Sequence, residues 1–272
     1  MSQISDAFRA LASDGSRAFI PYLCAGDPDK QFSLELMHRL SRAGADILEL
    51  GLPFTDPVAD GPVIQAAMSR SLSGGFKCAD FFELVRSARQ EGIRKPIVAM
   101  TYYNPVFKMG SERFCDRLVE AGADAILAVD LPPEESQELD NACHARNLDV
   151  VRLIAPSTTD SRMDYILSRA SGFVYVVSVS GTTGAREVLP PSAELLLKRV
   201  VKRSELPVAL GFGISVPEQV RAAISCGASG VVEGSKLISI YAESLPDRES
   251  ALDRVERHVR DMKSATLRAR AK

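Results

Sequence analysis

Short apolar runs separated by amphipathic stretches recur along the whole chain. Runs at 18–23, 46–50, 97–101, 125–129, 149–154, 173–177, 208–210 and 230–232 are short and largely apolar, which predicts strands buried on both faces. Between them apolar residues return every three to four positions, predicting helices over 32–43, 111–121, 134–146, 161–170, 193–203 and 217–226. One phrase punctuates the alternation. Ala43-Gly-Ala-Asp46, Ala121-Gly-Ala-Asp124 and Cys226-Gly-Ala-Ser229 each close a helical stretch and lead straight into an apolar run, with a looser echo at Ala170-Ser-Gly172. Glycine there suits the left-handed residue that ends a helix, and the internal repetition is itself a fold signal.

Strands alternating with helices predict an α/β fold with a parallel sheet under a helical layer. Eight such strands in about 250 residues predict closure into a single (β/α)8 TIM barrel. A doubly wound open sheet is the competitor, weakened because no Gly-x-Gly-x-x-Gly follows the first strand. An extra N-terminal helix at 4–12 is expected to plug the barrel's amino end. Without linkers or low-complexity segments, residues 1–272 are expected to form one domain, the barrel occupying about 16–265.

Composition narrows the function classes. With 46% hydrophobic and 25% charged residues and a net charge of −2, the chain reads as a soluble protein with no bias towards nucleic acid. Residues 254–272 are locally basic, but Glu256 and Asp261 interrupt them, so a solvated helix face with a frayed tail is expected. Five cysteines, none in a CxxC pair, argue for reduced thiols and against a disulfide frame or zinc site. His38, His144 and His258 fall in separate helical stretches and read as surface or packing residues. No run approaches the roughly 20 apolar residues of a membrane span, and the first residues lack a signal-peptide pattern. A cytoplasmic enzyme with no metal is the expectation.

The candidate chemistry centres on Glu49 and Asp60. Glu49 lies among Ile47, Leu48 and Leu50 in the second apolar run, where an isolated carboxylate is costly unless paired or neutral. Asp60 sits on the Pro-rich loop that follows. A buried acid at a strand's carboxyl end with another on the next loop suits proton transfer at a barrel mouth. The bland alternatives are a buried salt bridge for Glu49 and a turn before Gly61-Pro62 for Asp60. Three late glycine-rich loops, Ser180-Gly-Thr-Thr-Gly184, Gly211-Phe-Gly213 and Gly234-Ser235, follow the last three strands and suit a phosphate held on backbone amides, Ser235 being placed to cap a short helix. Tyr22, Tyr102, Leu127, Tyr175 and Phe212, near the carboxyl ends of different strands, would make a flat apolar wall, although core packing explains each singly.

The motifs Pro21-Tyr-Leu-Cys-Ala-Gly-Asp27, Glu49-Leu-Gly-Leu-Pro-Phe-Thr-Asp-Pro-Val-Ala-Asp60-Gly-Pro-Val-Ile-Gln65, Tyr102-Tyr-Asn-Pro-Val-Phe107, Asp130-Leu-Pro-Pro-Glu-Glu135, Ala155-Pro156, Ser180-Gly-Thr-Thr-Gly184 and Gly211-Phe-Gly-Ile-Ser215 together resemble the tryptophan synthase alpha subunit family, in order, to about residue 260. The resemblance implies a carbon–carbon lyase that splits indole-3-glycerol phosphate into indole and glyceraldehyde 3-phosphate by a retro-aldol reaction. It implies Glu49 as general acid/base and Asp60 as the partner of the indole N–H. Gly184, Gly213, Gly234 and Ser235 would hold phosphate, and Thr183 would sit on a closing loop. It also implies an α2β2 heterotetramer whose beta subunit carries pyridoxal phosphate, with no cofactor on this chain. Pro53, Asp56, Pro57, Asn104 and Phe107 would face that beta subunit. The chain departs from the family pattern at Glu233 and Lys236, beside the expected phosphate site, and at Val179 and Thr182 in the closing loop; Tyr22 stands where some relatives carry phenylalanine. Another phosphate-binding barrel, such as a sugar-phosphate isomerase or a Schiff-base aldolase, and a binding subunit with little activity of its own are the competing readings.

Overall fold

A computed structural model describes residues 2–177, 189–211 and 213–267. Its strands are β1 (Ala18–Cys24), β2 (Leu48–Gly51), β3 (Ile97–Thr101), β4 (Ala125–Ala128), β5 (Asp149–Val150), β6 (Arg152–Ile154), β7 (Val174–Val177), β8 (Val208–Gly211) and β9 (Gly230–Glu233). Every pairing is parallel, in the order β5-β4-β3-β2-β1-β9-β8-β7-β6. The two ends of that order are consecutive in the chain. Between them, the N–H of Val151 donates to the carbonyl of Ile126 at 2.9 Å. Thus β5 and β6 are halves of one stave, one half paired to β4 and the other to β7, and the ladder closes as a TIM barrel. The single strand expected over 149–154 is therefore met in two pieces.

The surrounding helices are α1 (Gln3–Ser13), α2 (Lys30–Ala43), α3 (Pro62–Ser73), α4 (Cys78–Gln90), α5 (Tyr103–Met109), α6 (Ser111–Ala121), α7 (Gln137–His144), α8 (Asp160–Ser168), α9 (Pro191–Arg203), α10 (Pro217–Ser225), α11 (Ser235–Ala242) and α12 (Arg248–Ser264). Gly44 and Gly122 close α2 and α6 with φ of 110° and 97°, left-handed values that glycine adopts without strain. The helix expected over 134–146 is shorter at both ends; it starts late because the Glu135 N–H donates to the Pro132 carbonyl at 3.0 Å, closing a turn before α7 begins.

Alternate strand residues face inward. Ala18, Ile20, Ile47, Val98, Ala125, Leu127, Val151, Phe173, Tyr175, Ala209 and Val232 pack together with Ile4 and Phe8 of α1. The Phe8 and Phe173 rings lie 5.6 Å apart, so α1 closes the amino end of the barrel, the place expected for the helix at 4–12. The opposite strand faces pack on the helices. The basic C-terminal stretch is more than a solvated face: α12 buries Ala251, Leu252, Val255, Val259 and Met262. Its flanks pair with the body through Arg39 to Asp253 (2.6 Å) and Lys263 to Asp46 (2.7 Å). Residues 268–272 of that tail lie outside the described residues. Among the described residues, no helix is long and apolar enough to cross a membrane.

Candidate functional site

Glu49 occupies the centre of β2. Strand alternation puts it on the inner face with Ile47, level with Tyr22 of β1 and Val98 of β3. It is 1% exposed, and neither carboxylate oxygen has a hydrogen-bond partner among the described residues. The salt-bridge alternative therefore finds no support there. Burial, reinforced by the charge of Asp60, pushes the Glu49 carboxyl up to about 8. A carboxyl in that condition carries a proton at neutral pH yet can release it, as an acid that must also act as a base requires.

Asp60 ends the β2–α3 loop and is buried. The Tyr102 hydroxyl donates to its Oδ2 at 2.7 Å and accepts from the Ala59 N–H at 3.0 Å. The Phe54 ring stacks on Tyr102 with centroids 5.1 Å apart, so two aromatic groups fix the loop that carries the acid. Asp60 also directly precedes Gly61, the N-cap of α3, where the helix dipole favours an anion. Burial raises its pKa, and the Tyr102 hydrogen bond opposes that rise. This is more than a turn residue. Sequence reasoning placed Tyr102 in an apolar wall; its tie to Asp60 was missed, since 42 residues separate the partners.

The aromatic residues gather at the mouth through small inward positions. A Cβ on Gly51 would stand 2.3 Å from the Tyr22 hydroxyl, and one on Gly211 would stand 2.2 Å from Cε1 of Tyr175. These glycines are the space into which the two phenols lie. Tyr22, Tyr102, Leu127 and Tyr175 are all buried. Phe212 lies outside the described residues, as do Val179, Thr182, Thr183 and Gly184.

At the end of β9, Gly234 is the N-cap of α11 and Ser235 its first helical residue. Ser235 thus does not cap the helix, but the first amides of α11 have no acceptor within it, and Ser235 and Lys236 are exposed. Gly213, at φ 77°, shapes the neighbouring loop after β8. Glu233 points away from this site. Its parity turns it outward, where Oε1 meets His258 Nε2 of α12 at 2.8 Å. Burial raises the Glu233 pKa, and His258 and Lys236 oppose the rise, so this departure from the family pattern puts no carboxylate into the expected phosphate site.

Beside the mouth, Asp56 and Asn104 are exposed, Pro57 is half-buried and Pro53 is buried. Phe107 of α5 is 70% exposed and Val58 of the β2–α3 loop 85%, two apolar side chains on the same rim. Sequence reasoning missed Val58. It also missed Asp27, fully buried under two 2.8 Å bonds from Arg70 and one of 2.5 Å from the Tyr241 hydroxyl, which locks the β1–α2 loop to α3 and α11. Among the described residues, no three His, Cys, Asp or Glu side chains gather to hold a metal ion.

Comparison with known proteins agrees with this geometry. Residues 8–267 match the family model described as tryptophan synthase alpha chain. The chain is 43% identical to the tryptophan synthase alpha chain of Carboxydothermus hydrogenoformans over 98% of its own length and all of the relative's. It is 42% identical to that of Synechocystis sp., covering 97% of this chain and 99% of the relative. Among solved structures, the alpha subunit from Legionella pneumophila superposes with a TM-score of 0.90 at 34% identity, covering 98% of both chains. A chain of the tryptophan synthase α2β2 complex from Pyrococcus furiosus gives 0.86 at 41% identity, over 92% of this chain and 98% of that one.

Proposed function

The chain belongs to the tryptophan synthase alpha chain family, and from that premise we propose how its barrel mouth carries out the family's lyase reaction on indole-3-glycerol phosphate. The observation that carries the reading is Glu49: buried, without a partner among the described residues, and charged or neutral at little cost near pH 8.

Glu49 donates its proton to C3 of the indole ring, which leaves positive charge on the ring nitrogen. Asp60, held by Tyr102, accepts the hydrogen bond of that N–H and stabilises the charge as it develops. The carboxylate left on Glu49 then takes the proton of the chain hydroxyl nearest the ring. The carbon–carbon bond breaks, its electron pair neutralises the ring nitrogen, and the hydroxyl carbon leaves as an aldehyde. One proton enters and one departs, so Glu49 is restored. Tyr22, Leu127 and Tyr175 wall the indole. The amides from Ser235, with Gly213 and Gly234, hold the phosphate; Thr183, Gly184 and Phe212, which the family resemblance assigns to substrate binding, lie outside the described residues.

The similar chain from Pyrococcus furiosus belongs to a tryptophan synthase α2β2 complex. On that basis a tryptophan synthase beta subunit is the partner, and pyridoxal phosphate belongs to it. Asp56, Pro57, Asn104 and Phe107 would receive it, with Val58 joining them, since Val58 and Phe107 offer apolar area on the same rim as the acid-bearing loop. Pro53, expected at the same face, is buried at the start of that loop and so offers the partner little surface. The test is indole release from indole-3-glycerol phosphate, measured with and without a beta subunit. Absence of indole under both conditions would remove the reading.

A further inference from the structure

Tyr22 contributes an apolar face to the mouth, but its hydroxyl has no hydrogen-bond partner among the described residues, and the side chain is only 3% exposed. A buried O–H left unpaired is destabilising, so a group that arrives with the ligand is the natural acceptor. The ring's position indicates which group. At one end, a Cβ on Gly234 would lie 3.2 Å from Tyr22 Cδ1. At the other, a Cβ on Gly51 would lie 2.3 Å from the hydroxyl. Gly234 begins the phosphate-holding turn, and Gly51 is the next inward residue after Glu49 on β2. The phenol therefore spans the interval between phosphate and acid, which the three-carbon chain of the substrate must cross. Burial, followed by the Cys24 thiol and the charges of Asp60 and Glu49, keeps the phenol protonated and so a donor.

We propose that Tyr22 is a specificity-determining residue whose hydroxyl donates a hydrogen bond to a hydroxyl of the substrate's glycerol chain. The inference rests on the indole-3-glycerol phosphate reading above. It makes the site prefer a hydroxylated chain over a plain alkyl one, because without that hydroxyl the phenol stays unpaired.

The experiment replaces Tyr22→Phe, which removes one oxygen and keeps the ring. Binding is measured in a Glu49→Gln background, where the substrate stays intact, for indole-3-glycerol phosphate and for indole-3-propyl phosphate, which lacks both chain hydroxyls. Tyr22→Phe is expected to weaken the first about three- to tenfold and leave the second within about twofold. With Glu49 present, kcat/KM should fall by a similar factor. The melting temperature of the ligand-free variant should be unchanged or higher, since an unpaired polar atom has gone. Equal loss for both ligands, or no loss for either, overturns the inference while leaving the functional reading intact. Binding of neither phosphate by the parent Glu49→Gln chain, together with no indole release by the unaltered chain, overturns the functional reading and this inference with it.

Discussion

Glu49→Gln separates two consequences of burying one carboxyl, and both follow from the same geometry. The folded chain holds the Glu49 proton up to about pH 8, whereas an unfolded chain releases it near 4.5. Between those values the folded state binds more protons, so its stability falls as pH rises through that window and levels off above it. At about 1.4 kcal/mol per unit, the destabilisation is roughly 1 kcal/mol at pH 5, about 3 at pH 7 and about 5 at pH 9. Glutamine has nearly the same shape and cannot ionise, and the cost of burying its amide does not vary with pH. Urea unfolding of both proteins at pH 5, 7 and 9 should therefore give curves that diverge, the variant gaining about 4 kcal/mol on the parent across the series. Indole release should vanish in the same variant. Stability profiles that run parallel from pH 5 to 9 would refute the claim that this carboxyl is desolvated in the folded chain. Near-normal turnover in a folded variant would refute its role as acid and base.

Other outcomes follow from neighbouring contacts. Tyr102→Phe removes the hydrogen bond that restrains the Asp60 pKa, so the acid limb of kcat/KM should move to higher pH and the rate fall by about tenfold; an unmoved limb would argue against that link. Gly211→Ala drives a methyl into the Tyr175 ring, and cleavage should drop more than about tenfold with the fold retained by circular dichroism. His258→Ala leaves buried Glu233 without its partner, and denaturant titration should register a loss of about 1–3 kcal/mol. Phe8→Ala opens a cavity where α1 plugs the barrel, at about 3–5 kcal/mol by the same titration, with turnover at low temperature preserved because the mouth lies at the other end.

The sequence alone determined the barrel and its amino-terminal plug and singled out Glu49 and Asp60 as candidates, because these reside in local patterns. Continuous apolar runs mean strands buried on both faces, the recurring Ala-Gly-Ala phrase marks where each unit begins, and a carboxylate stranded among Ile47, Leu48 and Leu50 is conspicuous on chemical grounds. Contacts between distant segments were decided only by the folded chain. Closure through Val151, the grip of Tyr102 on Asp60 and the outward turn of Glu233 towards His258 each join residues whose separation along the chain carries no periodic signal. The same holds for Tyr22: which way its hydroxyl points depends on the absence of a side chain at Gly51, one strand away. Periodicity records which face of an element is buried, but which partner waits there is fixed by how the staves and helices pack in three dimensions.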